Sequence, residues 1–349
     1  MAPNENHYHS LPDHPMPASM IRSLCACVAL AASFAAHAAG PLVVYSAQKE
    51  PSIRPLLDRF SGETGIEVRL LVDQGPVLVE RLAAEGANTR ADLLLTVDAG
   101  NLWQAAERGL LAPASSAVLD ARVPPALRDP EGRWYAISRR ARAIVYATGR
   151  VQPSELSTYE ALAAPQWKGR LCLRTSKNVY NQSLVATRIA RMGDSAAEAM
   201  VRGWVDNLAV APTPDDTLAA QAVAGGECDV AIVNMYYVAR LKRADPALPL
   251  AMFWPDQDGA GAHQNVAGMG ITAHAGNADA ARALLEWITD VPAQTELGRL
   301  NLEYPVNPGA PVDPLLAGWG IFKADDADLA DAGRLQPDAV RLMDRAGWR

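Results

Sequence analysis

Apolar and polar residues follow one another along the chain in blocks that predict strands alternating with amphipathic helices. "PLVVYSAQKE" is a short apolar strand that ends in a polar loop, and "SIRPLLDRFSGETG" is a helix that ends at Gly65. "IEVRLLV", "GPVLVERLAAEG", "ADLLLTVD" and "AGNLWQAAERGL" continue the series as strand, helix, strand and helix. This succession, with apolar strands that do not alternate, is typical of a parallel sheet covered on both faces.

A second unit repeats the pattern after "RARAIVYAT", which is predicted to be a strand crossing into it. "RLCLRT" and "CDVAIVN" are its strands, and "YNQSLVATRIARMG", "SAAEAMVRGWVDNL" and "MYYVARLKRA" are helices. "NVAGMGITAHA" is predicted to be a second crossing strand. We therefore predict an α/β protein with two lobes: residues 40–137 with 252–305, and residues 138–251 with 306–349. A cleft between the lobes is the expected ligand site, since open α/β sheets bind ligands beyond the carboxyl ends of their strands.

The N-terminal region has the pattern of a secretory signal peptide. After Met20 come a basic Arg22, an apolar run to Ala36 and a small-x-small cleavage site, "AHA". We interpret residues 1–39 as a polar extension followed by a signal at about residues 20–38. The apolar run is shorter than the roughly 20 residues of a membrane-spanning helix. We therefore expect a secreted mature chain without a membrane span.

The overall charge is acidic, with 32 basic and 39 acidic residues among 349 and a formal net charge of −7. General nucleic-acid binding requires a basic stripe, so this balance argues against it. It does not exclude a basic cleft for a small ligand.

Two cysteines remain once the predicted signal is removed. Cys172 and Cys228 each lie at or near the start of a predicted strand. In an oxidising compartment they form either a disulfide between neighbouring strands or two separate buried thiols.

Motifs of catalysis are missing from the sequence. There is no G-x-S-x-G elbow, P-loop or G-x-G-x-x-G after a strand, and after the signal only His263 and His274 remain. No His-x-x-x-His or Cys-x-x-Cys pair is available for zinc. We therefore expect a protein that is not an enzyme.

Three tyrosines stand where ligands are expected. Tyr236 and Tyr237 follow the strand "CDVAIVN", and Tyr180 follows the strand "RLCLRT" in the same way. A phenol has a pKa of about 10, but a strongly Lewis-acidic cation favours the phenolate. Three phenolates would neutralise a trivalent ion such as Fe³⁺. The alternative is that the rings pack in the cleft wall and the hydroxyls face water.

The segment "SRRARAIVY" adds positive charge near the crossing point. Arg140 and Arg142 face the same side of an extended chain, and Arg139 faces the other. The first two can bind an anion or a carboxylate bidentately, or they form a solvated basic edge.

Together these segments resemble the ferric-iron-binding periplasmic proteins of bacterial ABC importers, in their tyrosine-rich branch. The resemblance runs from about Leu42 to Pro308 and rests on "VVYSA", "ADLLLTVDAGNLWQAAERGLL", "RARAIVY", "NVYNQSLVA", "NMYYVARL" and "LEYPVNP". It implies a type II periplasmic binding protein fold with a hinged cleft. It also implies a periplasmic monomer that delivers Fe³⁺ to an inner-membrane permease and its ATPase.

The resemblance also implies the roles of particular residues. Tyr236 and Tyr237 match the family's tyrosine pair that holds iron, and Tyr180 matches its third tyrosine. Arg140 or Arg142 matches the arginine that supports the phenolates or a synergistic anion such as carbonate.

The chain departs from the family in the loop "YSAQKE". Lys49 stands where the family commonly has histidine, and Glu50 stands where tyrosine can follow. A lysine ammonium has no lone pair with which to coordinate a metal. We hypothesise that Glu50 supplies a carboxylate oxygen, with Gln48 a weaker candidate, or that Lys49 holds an anion such as carbonate or phosphate.

Two other functions are compatible with these residues. One is a binding protein of the same fold for a small anion, phosphonate, phosphate-like or carboxylate, with the arginines and Lys49 as its main contacts. The other is a secreted α/β enzyme.

Overall fold

The structure is a computed structural model that describes Met1 and residues 40–349, and Pro41–Arg349 form one compact unit. The predicted signal peptide lies outside the described residues. The strands are β1 (Leu42–Ser46), β2 (Val68–Val72), β3 (Leu93–Thr96), β4 (Leu111–Ala112), β5 (Tyr135–Ala147), β6 (Leu171–Cys172), β7 (Val230–Asn234), β8 (Leu250–Phe253) and β9 (Gln264–Thr272).

Helices alternate with most of these strands. They are α1 (Arg54–Thr64), α2 (Gly75–Glu85), α3 (Ala99–Glu107), α4 (Ala117–Arg122), α5 (Val179–Met192), α6 (Asp194–Asp206), α7 (Asp216–Gly225), α8 (Met235–Ala244), α9 (Ala278–Ile288), α10 (Val291–Asn301), α11 (Pro314–Ala317), α12 (Asp331–Arg334) and α13 (Gln336–Arg345). The predicted α/β class is therefore confirmed. Gly65 ends α1 as expected: its φ of 75° is left-handed, and its N–H donates to the Ser61 carbonyl.

The sheet has the strand order β2-β1-β3-β9-β5-β7-β6, with β4 on β9 and β8 on β5. β1 is parallel to β2 and β3, and β6 is parallel to β7. β9 is antiparallel to β3 and β5, and β5 is antiparallel to β7 and β8. We call β1–β4 and β9 the first group and β6–β8 the second group.

The long strand β5 joins the two groups. Its first part pairs with β9 as far as Ala141, and its second part pairs with β7 from Arg142 onward. "RARAIVYAT" thus crosses as predicted. β9, predicted as the second crossing strand, brings the chain back from β8 of the second group and pairs with β3, β4 and the first part of β5. Residues that follow β1 and residues that follow β7 meet at this junction and form the cleft.

Separate hydrophobic cores underlie the two groups. The first contains β1, β3, much of α1 and α2, and part of α9, and the second contains Trp167, Trp204 and Trp348 around α5 and α6. Val306 and Leu329, from the C-terminal part of the chain, pack in the first core. The C-terminal segment therefore contributes to both sides of the junction.

A disulfide joins Cys172 of β6 to Cys228, which precedes β7, and so resolves the two alternatives for these cysteines. Both residues lie in a small core with Ala219, Val223 and Val233. Among the described helices, none is long and apolar enough to cross a membrane.

Candidate functional site

A cavity of about 150 Å³ lies at the junction of the two groups. One side is formed by the loop after β1, which we call the β1 loop (residues 47–52), and the other by the first turns of α5 and α8. The lining residues are Ala47, Gln48, Lys49, Ser52, Val97, Tyr180, Tyr236, Tyr237, Arg240, Ala267, Asn301 and Glu303. The cavity is smaller than the 300–1,000 Å³ typical of sites for drug-sized ligands.

The structure brings the three sequence-predicted tyrosines together. Tyr180 is the second residue of α5, whose N-cap Asn178 accepts the Tyr180 N–H through Oδ1 at 3.0 Å. β7 ends at Asn234, so Tyr236 and Tyr237 fall in the first turn of α8. Their ring centroids are 4.4 Å apart at 37°. Adjacent helical side chains thus face one cavity from different angles.

Burial opposes the ionisation of two of these phenols, Tyr180 and Tyr236. Burial raises the pKa of Tyr180 and raises the pKa of Tyr236 well above its usual range. The charge of Arg140 acts in the opposite direction on both groups. Its guanidinium lies 5.2 Å from the centre of the Tyr180 ring, and that of Arg240 lies 4.8 Å from the Tyr236 ring. The effect of burial is larger than that of Arg140, so ionisation of Tyr180 and Tyr236 requires a second cation, such as a bound metal ion.

Arg140 is a buried cation with unused hydrogen-bonding capacity. It is 2% exposed, and its nearest acid is Glu303, with Nη1 and Oε1 4.0 Å apart. Within the described chain its three guanidinium nitrogens have no hydrogen-bond partner. Such a group costs free energy unless a negative charge approaches, so it is suited to stabilise a phenolate or a bound anion.

Two other predicted site residues lie elsewhere. Arg142 donates from Nη1 to Asp216 and from Nη2 to Asn181, both at 2.6 Å, and does not line the cavity. The Glu50 carboxylate is exposed and pairs with Arg54 at 2.9 Å, away from the lining residues. In contrast, Gln48 and Lys49 both line the cavity. In the β1 loop, Gln48 and Lys49 therefore lie beside the cavity, and Glu50 does not.

Sequence reasoning missed Asn301 and Glu303, which line the cavity on either side of Leu302. α10 ends at Asn301 because Leu302 adopts a left-handed conformation with φ of 58°. This conformation is uncommon for leucine, so the sequence does not announce the turn. The motif "LEYPVNP" contains Glu303 and was the signal in the sequence that could have pointed to it.

The side chains that line the cavity and could bind a metal carry oxygen donors: three phenols, the amides of Gln48 and Asn301, the Ser52 hydroxyl and the Glu303 carboxylate. In residues 40–349 no cluster of three or more His, Cys, Asp or Glu side chains is placed to hold a metal. Burial lowers the pKa of His263 well below its usual range, and its Nδ1 lies 3.1 Å from the Thr187 hydroxyl. Any metal in this cavity would meet oxygen donors.

Known proteins resemble this chain over most of its length. Residues 56–324 match the family described as bacterial extracellular solute-binding protein. Iron uptake protein A2 of Synechocystis is 43% identical over 314 residues, which cover 88% of this chain and 89% of that protein. The Fe(3+)-binding periplasmic protein of Serratia marcescens is 30% identical over 318 residues, covering 90% and 92%.

A solved structure matches equally well. Trichodesmium FutA (IdiA), in complex with iron and citrate ligands, has a TM-score of 0.84 at 43% identity and covers 89% of this chain and 100% of that one. The resemblance to periplasmic iron-binding proteins and the type II fold are confirmed. The relatives are binding and uptake proteins, as expected for a chain that is not an enzyme. The chain belongs to the bacterial extracellular solute-binding protein family.

Proposed function

We propose that this protein captures Fe³⁺ in the cavity at the junction and delivers it to an ABC permease of the inner membrane. The observation that carries the proposal is the convergence of Tyr180, Tyr236 and Tyr237 on one small cavity. The three tyrosines are the proposed ligands, and Arg140 is the proposed support for their negative charge. Iron is the cargo, and no reaction is catalysed.

Charge balance supports a trivalent ion. Ionisation of the three phenols supplies three negative charges, which neutralise Fe³⁺ inside a buried site. Phenolate oxygens are also hard donors. Among divalent ions, hard cations prefer oxygen ligands, and we extend this preference to the hard Fe³⁺ ion.

The relatives support the same cargo. The Synechocystis protein is named for iron uptake, the Serratia protein for binding Fe(3+) in the periplasm, and the Trichodesmium structure holds iron and citrate. These matches support a periplasmic location and an inner-membrane permease with its ATPase as the partner. We infer a monomer that is exported by the signal at residues 20–38.

A carboxylate-bearing or carbonate-like anion is proposed to accompany the iron. Lys49, Arg140 and Arg240 bring three positive charges to the cavity region, and Glu303 brings one negative charge. Three phenolates cancel the charge of iron and leave this excess of positive charge. The excess also supports the second candidate function, binding of a small anion without iron.

The two hydrophobic cores support the division into lobes of residues 40–137 with 252–305 and 138–251 with 306–349. Val306 and Leu329 lie in the first core, so we infer that the segment after residue 305 serves both lobes. Closure of the lobes on iron follows if the ion binds the closed state more tightly than the open one.

Equilibrium dialysis separates the two candidate functions. The metal-free mature protein is dialysed against ferric citrate or against citrate alone, and bound iron and bound citrate are then counted. We expect about one iron per protein from ferric citrate, and weak retention of citrate by itself. Retention of citrate with no iron in either sample would favour the anion-binding function and contradict the iron proposal.

A further inference from the structure

The β1 loop lacks the imidazole that the resemblance leads one to expect, so its contribution to a metal must come from another group. Lys49 lines the cavity, but its ammonium has no lone pair. Glu50 is turned away and paired with Arg54. Of the other residues of this loop that line the cavity, Gln48 and Ser52 have a side chain with a donor oxygen.

Gln48 is held with its amide oxygen unused. The residue is 7% exposed, its backbone N–H donates to the Ser46 hydroxyl at 3.1 Å, and its Nε2 donates to the Ser52 carbonyl at 3.5 Å. Because a carbonyl can only accept, this contact assigns nitrogen to the Ser52 side and leaves Oε1 on the other. Among the residues that the structure describes, Oε1 has no hydrogen-bond partner.

Asn301 has the same arrangement at the end of α10. It is 2% exposed, and its Nδ2 donates to the same Ser52 carbonyl at 3.0 Å. Its Oδ1 likewise meets no partner in residues 40–349. The backbone carbonyl of Asn301 is engaged separately, by Arg240 at 3.4 Å. One carbonyl therefore orients two buried amides, and both amide oxygens remain free beside the cavity.

We propose that Gln48 Oε1 and Asn301 Oδ1 form an amide pair that supplies oxygen donors to the bound ferric ion opposite the three tyrosines. The inference rests on the proposed iron function and adds ligands to the same site. Two amide oxygens buried without hydrogen-bond partners cost free energy unless a ligand meets them. A metal ion relieves that cost. Amide oxygens are neutral, so they complete the shell without disturbing the balance between three phenolates and Fe³⁺.

The test compares ferric citrate binding by wild type, Gln48→Leu and Gln48→Glu, with Glu50→Ala as the matched control from the same loop. Affinity is measured by competition with excess citrate, and the phenolate-to-iron visible band is recorded for each protein. We expect Gln48→Leu to weaken binding about tenfold or more and to shift the band, by analogy with groups that support metal ligands. Gln48→Glu, which restores an oxygen donor, should recover affinity, and Glu50→Ala should match wild type.

Asn301→Leu tests the second donor and should also weaken binding and shift the band. Thermal unfolding of the metal-free variants shows whether each is folded; if Asn301→Leu is not, Gln48→Leu decides alone. A coloured wild type with an unchanged Gln48→Leu variant would overturn the amide pair and leave the iron function intact. A wild type that binds no iron would overturn the function itself.

Discussion

At the scale of single residues, the proposed function depends on the ionisation of buried phenols. Burial raises the pKa of Tyr180 and of Tyr236, and the Arg140 guanidinium beside them only partly opposes that effect. Iron must therefore displace protons as it binds. The proposed site would be selective, because only a strongly Lewis-acidic cation can displace these protons at neutral pH.

Iron affinity should fall as pH falls. Each phenol must lose its proton to bind iron as a phenolate, and burial raises the pKa of Tyr180 and of Tyr236, so both are protonated across the neutral range before iron binds. Three displaced protons make the affinity drop by about a factor of 10³ for each pH unit at fixed free Fe³⁺. Proton release measured on binding in two buffers of different ionisation enthalpy checks this count. Release of none, after correction for iron hydrolysis, would contradict phenolate binding.

Replacing Arg140 by methionine should separate function from stability. The variant loses the cation next to Tyr180 and Tyr236, so the phenolates become less favourable and we expect iron binding to weaken about tenfold. Because the guanidinium is buried with unpartnered nitrogens, the thermal midpoint of the metal-free protein should stay the same or rise. Iron competition and thermal unfolding give the two readouts. Unchanged iron affinity in a folded Met variant would remove Arg140 from the site.

The sequence predicted the positions of some residues of the candidate site and not of others. The tyrosines could be placed because each follows an apolar strand, and the carboxyl ends of such strands meet at a cleft. Asn301 and Glu303 could not, because their approach to the cavity depends on the left-handed Leu302. The position of Glu50 could not be predicted either, because the sequence does not show that its carboxylate pairs with Arg54 and not with a ligand in the cavity.

At the scale of elements, the disulfide fastens the strand that precedes Tyr180 to the strand that precedes Tyr236. Cys172 and Cys228 are 56 residues apart, and β6 and β7 are hydrogen-bonded neighbours. Replacing both cysteines by alanine should lower the free energy of unfolding by roughly 2–4 kcal/mol, because the unfolded chain regains the entropy of that loop. Denaturant unfolding measures the loss.

The same double variant should keep the iron absorption band of the wild type, since neither sulfur lines the cavity. An unchanged unfolding free energy would show that the crosslink does not stabilise the native protein. A lost band in a folded variant would show that the disulfide positions the tyrosines rather than only stabilising their strands.

Most elements were predictable because their apolar periodicity is strong. β5 was recognised as the crossing strand from its position between two α/β patterns. β9 lies within residues 252–305, which the sequence places in the first lobe, but its antiparallel pairing with β3 could not be predicted. Long-range pairing of this kind is not encoded in the local pattern.

At the scale of the whole molecule, the two sides of the cleft are tied together by a buried cluster of Asp98, Ser183 and Asn265. Asp98 Oδ2 accepts from the Ser183 hydroxyl and from Asn265 Nδ2, each at 2.7 Å, and Oδ1 caps α3 by accepting from Gly100 at 2.8 Å. Ser183 lies one turn after Tyr180 in α5. The cluster therefore connects the helix that presents Tyr180 to α3 and β9 of the first group.

Ser183→Ala should weaken this connection. It removes a hydrogen bond to a buried carboxylate, so the free energy of unfolding should fall by about 1–3 kcal/mol. Ser154→Ala, at an exposed position, is the control and should change little. Denaturant unfolding of both variants makes the comparison. Equal stability of the two would show that the cluster adds nothing to the native state.

The central claim is that tyrosine phenolates hold ferric iron, and the visible spectrum of the mature protein after addition of ferric citrate tests it most directly. We predict a phenolate-to-iron absorption band in the wild type that is strongly reduced in Tyr236→Phe and in Tyr237→Phe, where the ring remains and the donor oxygen is gone. A colourless wild type, or an undiminished band in both folded variants, would contradict the account.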